Sequence, residues 1–131
     1  MNDKSKSQKL KSKNQILKNH PLFMSNKYGI PEKELKQIRA RDKTCVYCHK
    51  KMTNSKNGGW RGDWATIEHL NHLPPWNNPK TVVICCGSCN SSRGNKTLLD
   101  WFQTKYCLDR NRNININTVA KVVKDYINQQ K

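Results

Sequence analysis

The sequence predicts an α+β protein whose small core is held by a zinc ion and flanked by helices. Two observations carry this prediction. Four cysteines occur as two C-x-x-C pairs, Cys45/Cys48 and Cys86/Cys89, and four thiolates are the number and kind of ligand that a tetrahedral structural zinc requires. Between and after the pairs, the hydrophobic pattern indicates a strand, a loop, a second strand and a helix.

The composition indicates the size of the core and the kind of partner. The chain has 131 residues, of which 34% are apolar, so we expect one domain with a core small enough to depend on a zinc cross-link. It carries 25 Lys and Arg against 9 Asp and Glu, a formal net charge of +16. This excess favours a polyanionic partner, and nucleic acid is the leading candidate.

We expect three parts along the chain. Residues 1–29 are rich in lysine and poor in apolar residues, which indicates a basic, disordered N-terminal arm. Residues 30–108 contain both cysteine pairs and form the core, while 109–131 form a C-terminal loop and an amphipathic helix that packs on it. The chain shows neither a secretory signal nor a membrane span, so we expect a cytoplasmic protein with reduced cysteines and no membrane partner.

Two strands are predicted between the cysteine pairs, after a short helix over 30–42 that begins at Pro31. The sequence Asn57-Gly58-Gly59 is a turn signal, and the β-prone run 65–70 follows it. The next run, 71–80, is rich in proline and is predicted as a loop, and 81–85 is predicted as the second strand.

Two further helices are predicted after the second cysteine pair. Polar capping residues at 90–93 predict a helix that runs through Lys96 to Phe102 and packs on the strands. An amphipathic helix is predicted over 118–128, with Asn117 or Thr118 as its cap.

The ligand set of the zinc leaves two alternatives open. Cys85 replaces Cys86 if the register of the second strand slips by one residue, and His49 competes as a ligand because it follows the first pair. Cys107 is predicted to be a small buried hydrophobic residue.

A Glu68-His69 dipeptide at the end of the first predicted strand is the candidate chemical site. Hydrolysis of a phosphodiester needs a base for the attacking water, and a neutral histidine such as His69 suits that role. It also needs positive charge at the phosphorus and at the leaving oxygen, which Mg²⁺ supplies with few protein oxygen ligands. Glu68 and Asn90 are the oxygen donors at hand. Because strand neighbours alternate between faces, both members of the dipeptide reach one site only if the strand bends or ends there.

Three motifs together resemble those of the HNH endonucleases with the zinc-stapled ββα-metal fold, over about half of the chain. The motifs are Arg39-x-Arg41-Asp42-x-x-Cys45-x-x-Cys48, Ile67-Glu68-His69, and Val82-x-x-Cys85-Cys86-x-x-Cys89-Asn90-Ser91-Ser92-Arg93-Gly94-Asn95-Lys96.

The resemblance implies metal-dependent cleavage of double-stranded DNA, with Mg²⁺ or Mn²⁺ as the catalytic ion and zinc as a structural one. It implies that His69 is the general base and that Glu68 and Asn90 hold the catalytic metal. It places Arg93 and Lys96 in a region that approaches the scissile phosphate. A homodimer is expected where both strands of a symmetric site are cut together.

Two departures from the family pattern concern the same site. Glu68 stands where the family often has Asp, and Thr81 falls by its spacing at the position of the family Asn that orients the base. Thr81 is therefore the candidate for that role through its hydroxyl or carbonyl, and Asn77 or Asn78 from the loop are the alternatives. The rival hypothesis is a zinc-ribbon module that binds nucleic acid without catalysis, since charge and cysteines suit both.

Overall fold

The computed structural model describes residues 26–130. This part of the chain contains five helices and a two-stranded antiparallel sheet, so the predicted mixture of helix and strand is confirmed. The predicted arm falls mostly on residues 1–25, which lie outside the described residues. No helix within 26–130 is long and apolar enough to cross a membrane. In chain order the elements are α1 (Glu32–Arg41), β1 (Ala65–His69), β2 (Val82–Cys86), α2 (Gly87–Arg93), α3 (Leu98–Phe102), α4 (Lys105–Leu108) and α5 (Lys121–Gln129).

Helix α1 lies where the sequence predicts it, and its C-terminal end is tied to the sheet. Pro31 precedes the first helical residue, acidic residues occupy the first turn and basic ones the last turn, as the helix dipole favours. Asp42 ends the helix, and its Oδ2 accepts a hydrogen bond from the Ile84 backbone N–H at 3.0 Å. Arg41 donates both to Asp42 and to the Val82 carbonyl oxygen. The helix is therefore fixed against β2, directly before the first cysteine pair.

Strands β1 and β2 pair in antiparallel register, with Thr66 opposite Cys85, Glu68 opposite Val83 and His69 opposite Val82. Every residue of β2 is buried, as its β-branched and apolar sequence leads one to expect. Directly opposite residues share a face of the sheet, so Thr66, Glu68 and Cys85 lie on one face. The Pro-rich connection between the strands is closed by a hydrogen bond from the Leu70 N–H to the Thr81 carbonyl oxygen at 2.8 Å.

The predicted helix after Cys89 differs from the structure in its start and in its continuity. Helix α2 begins three residues earlier than predicted, at Gly87, because the Cys86 side chain caps it by accepting the Cys89 backbone N–H at 3.4 Å. It ends at Arg93, and the next residue, Gly94, has a φ of 54°, which is in the region that favours glycine. A separate helix, α3, then begins after Thr97, whose side chain caps it.

The C-terminal helix α5 begins at Lys121, later than predicted. Thr118, one of the two predicted caps, instead uses its hydroxyl to close a turn with Asn115. The Ala120 N–H donates to the Val46 carbonyl oxygen at 2.8 Å, which fixes the start of the helix beside the first cysteine pair. Val123 and Ile127 of α5 join the main core, whose largest buried side chain is that of Trp101.

Candidate metal centre and active site

Four sulfur atoms lie together where both cysteine pairs meet. The Sγ atoms of Cys45, Cys48, Cys86 and Cys89 all lie within 4.8 Å of one another, and those of Cys48 and Cys86 are 3.8 Å apart. A Zn–S bond of about 2.3 Å in a tetrahedron gives S···S separations of about 3.8 Å. The four predicted ligands therefore fit a single zinc ion by both their chemistry and their spacing.

The local backbone places each pair. The first pair lies in a tight turn, in which the Cys45 N–H donates to the Lys50 carbonyl oxygen and the His49 N–H to the Cys45 carbonyl oxygen. His49 has a φ of 67° at this turn. In the second pair, Cys86 ends β2 and Cys89 lies in the first turn of α2. The cluster thus joins an irregular turn, a strand end and a helix start.

Neither alternative ligand belongs to the cluster. Strand alternation turns Cys85 to the other face, where its Sγ lies 3.7 Å from the Thr66 hydroxyl. A ring nitrogen of His49 contacts the Thr118 carbonyl oxygen instead of the sulfurs. Burial raises the pKa of the Cys85 thiol and, to a lesser extent, that of Cys107. Both are protonated, buried thiols at neutral pH.

The four clustered thiols shift one another's pKa values through shared hydrogen bonds. Hydrogen bonds from the other three hold the pKa of Cys48 below its ordinary value, and a hydrogen bond from Cys45 lowers the pKa of Cys86. The pKa values of Cys45 and Cys89 are raised by the same shared protons. Metal binding displaces these protons, because the thiolate is the ligand form.

Tyr106 of α4 is the outer partner of this cluster. Its hydroxyl lies 3.3 Å from the Cys89 Sγ and 2.9 Å from the Ser88 hydroxyl. Partial burial, followed by the contact with Cys89, raises the pKa of Tyr106. The phenol therefore stays protonated and can donate to the sulfur.

The Glu68 carboxylate is buried and has three side-chain partners. Its Oε2 accepts from the Tyr47 hydroxyl at 3.0 Å and from Arg93 Nη1 at 3.2 Å. Its Oε1 faces His72 Nε2 at 3.2 Å, and the His72 side chain is 29% exposed. Burial, and then the charge of Glu68, raises the pKa of Tyr47, which keeps that hydroxyl a donor. Oε1 is therefore the oxygen that faces the more accessible side.

Arg93 lies inside the protein, although the family resemblance places it in a region that approaches the scissile phosphate. Its side chain is 2% exposed. Besides Glu68, its guanidinium donates to the carbonyl oxygens of His69, Leu70 and Lys96 at 3.2, 2.8 and 2.9 Å. All of these bonds fix the end of β1 and the turn after α2. Lys96 is exposed, and its Nζ lies 3.3 Å from the Ser92 carbonyl oxygen.

His69 is held by a loop carbonyl and two aromatic rings. Its Nε2 lies 2.7 Å from the Trp76 carbonyl oxygen, and its ring meets those of Tyr28 and Trp76 edge to face at 4.4 and 5.2 Å. A carbonyl only accepts, so Nε2 carries the proton and Nδ1 is the basic nitrogen of the neutral ring. Tyr28 falls within the range predicted as the N-terminal arm.

Asn90 lies on the Glu68 face of the strand. Its Nδ2 donates to the Thr66 hydroxyl at 2.9 Å and to the Ile67 carbonyl oxygen at 3.2 Å. Asn90 and Arg93 are three residues apart on α2 and so share the helix face that packs on β1. Glu68 and Asn90 are thus brought to one face, while His69 follows strand alternation to the other side of the strand end.

Thr81 is engaged away from the histidine. Its hydroxyl donates to the Asn78 carbonyl oxygen at 3.2 Å, and the Asn78 side chain accepts from the Lys80 N–H. The group that orients His69 is the backbone carbonyl of Trp76. Sequence analysis missed it because any residue supplies a carbonyl, so no residue type marks it. The partners Tyr47 and Tyr28 also carry no motif.

Comparison with protein-family models, with curated proteins and with solved structures finds no match to this chain.

Proposed function

We propose that this protein is a metal-dependent endonuclease that hydrolyses phosphodiester bonds of double-stranded DNA, with a core similar to that of the HNH endonucleases. One observation carries the proposal. A strand, strand and helix unit closed by four clustered cysteines holds Glu68 and Asn90 on one face and His69 at the strand end. An acid, a base and an amide are the groups that metal-dependent hydrolysis of a phosphodiester uses.

In this proposal the four cysteines hold a structural zinc. Four thiolates fill the coordination shell of a tetrahedral zinc, so no position remains for water or substrate. The zinc fastens α2 to β2 and to the turn of the first cysteine pair, and thereby sets the distance between Asn90 and the strand that carries Glu68. Its role in catalysis is indirect.

The donors of Glu68 and Asn90 suit a hard divalent cation such as Mg²⁺ or Mn²⁺. These ions take carboxylate and amide oxygens and keep several positions for water and phosphate. In Glu68 the suitable atom is Oε1, because Oε2 is held by Tyr47 and Arg93 whereas the partner of Oε1 is the partly exposed His72. A cation bound there supplies positive charge to the phosphorane and to the leaving oxygen.

His69 takes the proton of the attacking water. Its Nδ1 is the basic nitrogen, and the Trp76 carbonyl fixes the tautomer and favours the imidazolium that forms. The water oxygen bonds to phosphorus as the bond from phosphorus to the 3′ oxygen breaks. The products carry a 5′-phosphate and, once the leaving oxygen has gained a proton, a 3′-hydroxyl. Because His69 lies on the other side of the strand end from Glu68 and Asn90, this step requires the end of β1 to turn so that both sides meet one phosphate.

The charge of the chain supports DNA as the partner. A net charge of +16 on 131 residues attracts a polyanion, and exposed Lys96 is near the end of the helix that carries Asn90. We further propose an intracellular location, where thiols stay reduced and hold zinc. We propose a homodimer only if the protein cuts both strands of a symmetric site together.

A second candidate function is a zinc-containing module that binds nucleic acid without cutting it. The observation that favours it is the burial of the proposed site, since the side chains of Glu68 and Arg93 are both 2% exposed and paired with each other. In that case Glu68 is a structural acid, and His69 packs the strand end between two aromatic rings.

Plasmid cleavage tests the proposal. Supercoiled plasmid is incubated with wild type, His69→Ala and the exposed control Asn111→Ala, each with Mg²⁺, with Mn²⁺ and without added divalent cation. We expect nicked or linear product only from wild type and Asn111→Ala, and only with the divalent cation. The ratio of linear to nicked product reports whether both strands are cut together. If wild type binds plasmid without cutting it in any metal, the second candidate replaces the first.

A further inference from the structure

Trp60 presents an aromatic ring to solvent on the side of the molecule that carries Lys50 and Arg61. It is 64% exposed, the highest value among the large hydrophobic side chains of residues 26–130. A single exposed apolar side chain is common on protein surfaces, so its support and its charged neighbours decide whether it marks a contact surface.

The ring of Trp60 is supported from below by Gly62. A β-carbon at Gly62 would lie 2.5 Å from the ring, so the absence of a side chain there lets the indole lie against the backbone. The segment 61–63 is itself pressed against the start of α2, since a β-carbon at Gly87 would lie 2.2 Å from the Arg61 carbonyl oxygen. The position of the ring is therefore fixed relative to the cysteine cluster.

Two basic residues accompany this ring, one over its face and one next to it in the chain. Lys50 Nζ lies 4.8 Å from the centre of the Trp60 ring, and Arg61 is exposed beside it, with its guanidinium 5.7 Å from the Trp64 ring. The nearby acid, Asp63, is paired with Lys50 at 2.9 Å. Trp64 donates its indole N–H to the Gly58 carbonyl oxygen, which holds the turn in place. An aromatic ring with basic side chains close to it is an arrangement that binds a base and its phosphate together, once the flexible Lys50 side chain moves from the ring face to the phosphate.

We propose that Trp60, Lys50 and Arg61 form a nucleic-acid contact surface in which the indole stacks on an unpaired DNA base and the two cations contact the adjoining phosphates. This inference takes DNA as the partner from the proposed function and does not depend on cleavage. A lipid surface is the other partner that takes Trp beside Lys. The net charge of +16 favours DNA. Trp60 is also the only exposed large hydrophobic residue within 50–64, whereas interfacial membrane binding uses a broader apolar face.

Two substitutions separate stacking from packing. Trp60→Leu keeps an apolar side chain over Gly62 and removes the aromatic face, whereas Trp60→Phe keeps an aromatic face. Leu108→Ala is the matched control, because Leu108 is 62% exposed on α4. Zinc content and far-UV circular dichroism equal to wild type establish that each variant is folded.

Binding is measured by fluorescence anisotropy with labelled single-stranded and duplex oligonucleotides of equal length, without added divalent cation. We expect Trp60→Leu to weaken single-strand binding roughly 5- to 100-fold, in line with the stacking of about one base. Trp60→Phe and Leu108→Ala stay close to wild type. An equal loss with the duplex means that the ring enters a partly unstacked step, and a loss confined to the single strand means that it requires an unpaired base.

Unchanged binding of both oligonucleotides by Trp60→Leu overturns the inference, and so does a loss confined to binding of anionic vesicles. Plasmid cleavage by wild type is scored separately. Cleavage with no effect of Trp60→Leu on binding rejects this surface and leaves the proposed function standing. A Trp60-dependent affinity without cleavage supports the surface and rejects the nuclease.

Discussion

Arg93 Nη1 donates to Glu68 Oε2 at 3.2 Å, and both side chains are 2% exposed. Such a pair is costly to desolvate and holds only if the remaining donors and acceptors are satisfied. Here they are, because Arg93 also donates to three backbone carbonyls and Tyr47 donates to the same carboxylate oxygen. One guanidinium thus links the strand that carries Glu68 to the helix that carries Asn90.

Removing the cation from this pair is expected to destabilise the fold strongly. Arg93→Met leaves Glu68 buried without its charge partner and leaves three carbonyls short of a donor. We expect the free energy of unfolding to fall by about 3 to 5 kcal/mol. Urea denaturation of zinc-loaded protein measures it. The matched control is Arg110→Met at an exposed position, for which the change stays within about 0.5 kcal/mol.

A double variant tests whether the effect comes from the pair. If the stranded carboxylate is the cause, Glu68→Gln combined with Arg93→Met recovers part of the loss, because the buried charge is gone. A double variant as unstable as the sum of the two single variants contradicts this account. It would show that the carbonyl contacts of Arg93, and not the ion pair, determine the stability.

The adjacent cysteines Cys85 and Cys86 provide a direct test of the metal centre. Their side chains lie on opposite faces of β2, and only the Sγ of Cys86 belongs to the four-sulfur cluster. We expect Cys86→Ala to lose bound zinc and cooperative unfolding, because zinc binding is coupled to folding in small metal-dependent domains. Cys85→Ala retains one zinc per chain, and the small cavity costs about 1 kcal/mol.

Zinc stoichiometry by elemental analysis and thermal unfolding by circular dichroism measure both variants side by side. A strong chelator should lower the melting temperature of wild type and of Cys85→Ala alike. If Cys86→Ala retains zinc and Cys85→Ala loses it, then Cys85 and not Cys86 is the ligand. The register of β2 would then differ by one residue from that described above.

The Tyr106 hydroxyl is expected to tune how tightly zinc is held. It lies 3.3 Å from the Cys89 Sγ, and a donor to a ligating thiolate stabilises its negative charge. Tyr106→Phe removes only this oxygen and should weaken zinc affinity by roughly 10-fold. Competition with a colorimetric zinc chelator measures it. If Tyr106→Phe binds zinc as tightly as wild type, the Tyr106 hydroxyl hydrogen-bonds to Ser88 without stabilising the Cys89 thiolate.

The local elements of the fold could be predicted from the sequence, because the residues that define them are close together in the chain. Both strands lie within one residue of their predicted bounds, since β-branched runs and a Pro-rich loop define them. The four ligands follow from two short motifs. The start of α2 was misplaced because its cap is the Cys86 sulfur, which no capping preference marks.

The contacts around the site involve residues that are distant in the chain, so the sequence could not predict them. Arg93 sits among polar residues of a short helix, and its burial follows from partners 23 to 25 residues earlier in the chain. The aromatic contact of Tyr28 with His69 joins residues 41 positions apart (69 minus 28), and neither carries a motif for it. On the sequence alone, Glu68 and His69 reach one site only if the strand bends or ends there. Their side-chain contacts instead keep them on opposite sides of the strand end, as regular strand alternation favours.

The last prediction concerns Thr81, which the sequence puts forward as the residue that orients the base. Its hydroxyl donates to the Asn78 carbonyl oxygen at 3.2 Å, whereas His69 Nε2 is held by the Trp76 carbonyl oxygen at 2.7 Å. Thr81→Val keeps the shape and the backbone carbonyl and removes only the hydroxyl. If the proposed nuclease is active, we expect its nicking rate to stay within about threefold of wild type, since only a local capping bond is lost. His69→Ala, measured in parallel, sets the level of lost activity. If the nicking rate of Thr81→Val falls to the level of His69→Ala, the threonine hydroxyl, and not the Trp76 carbonyl, orients His69.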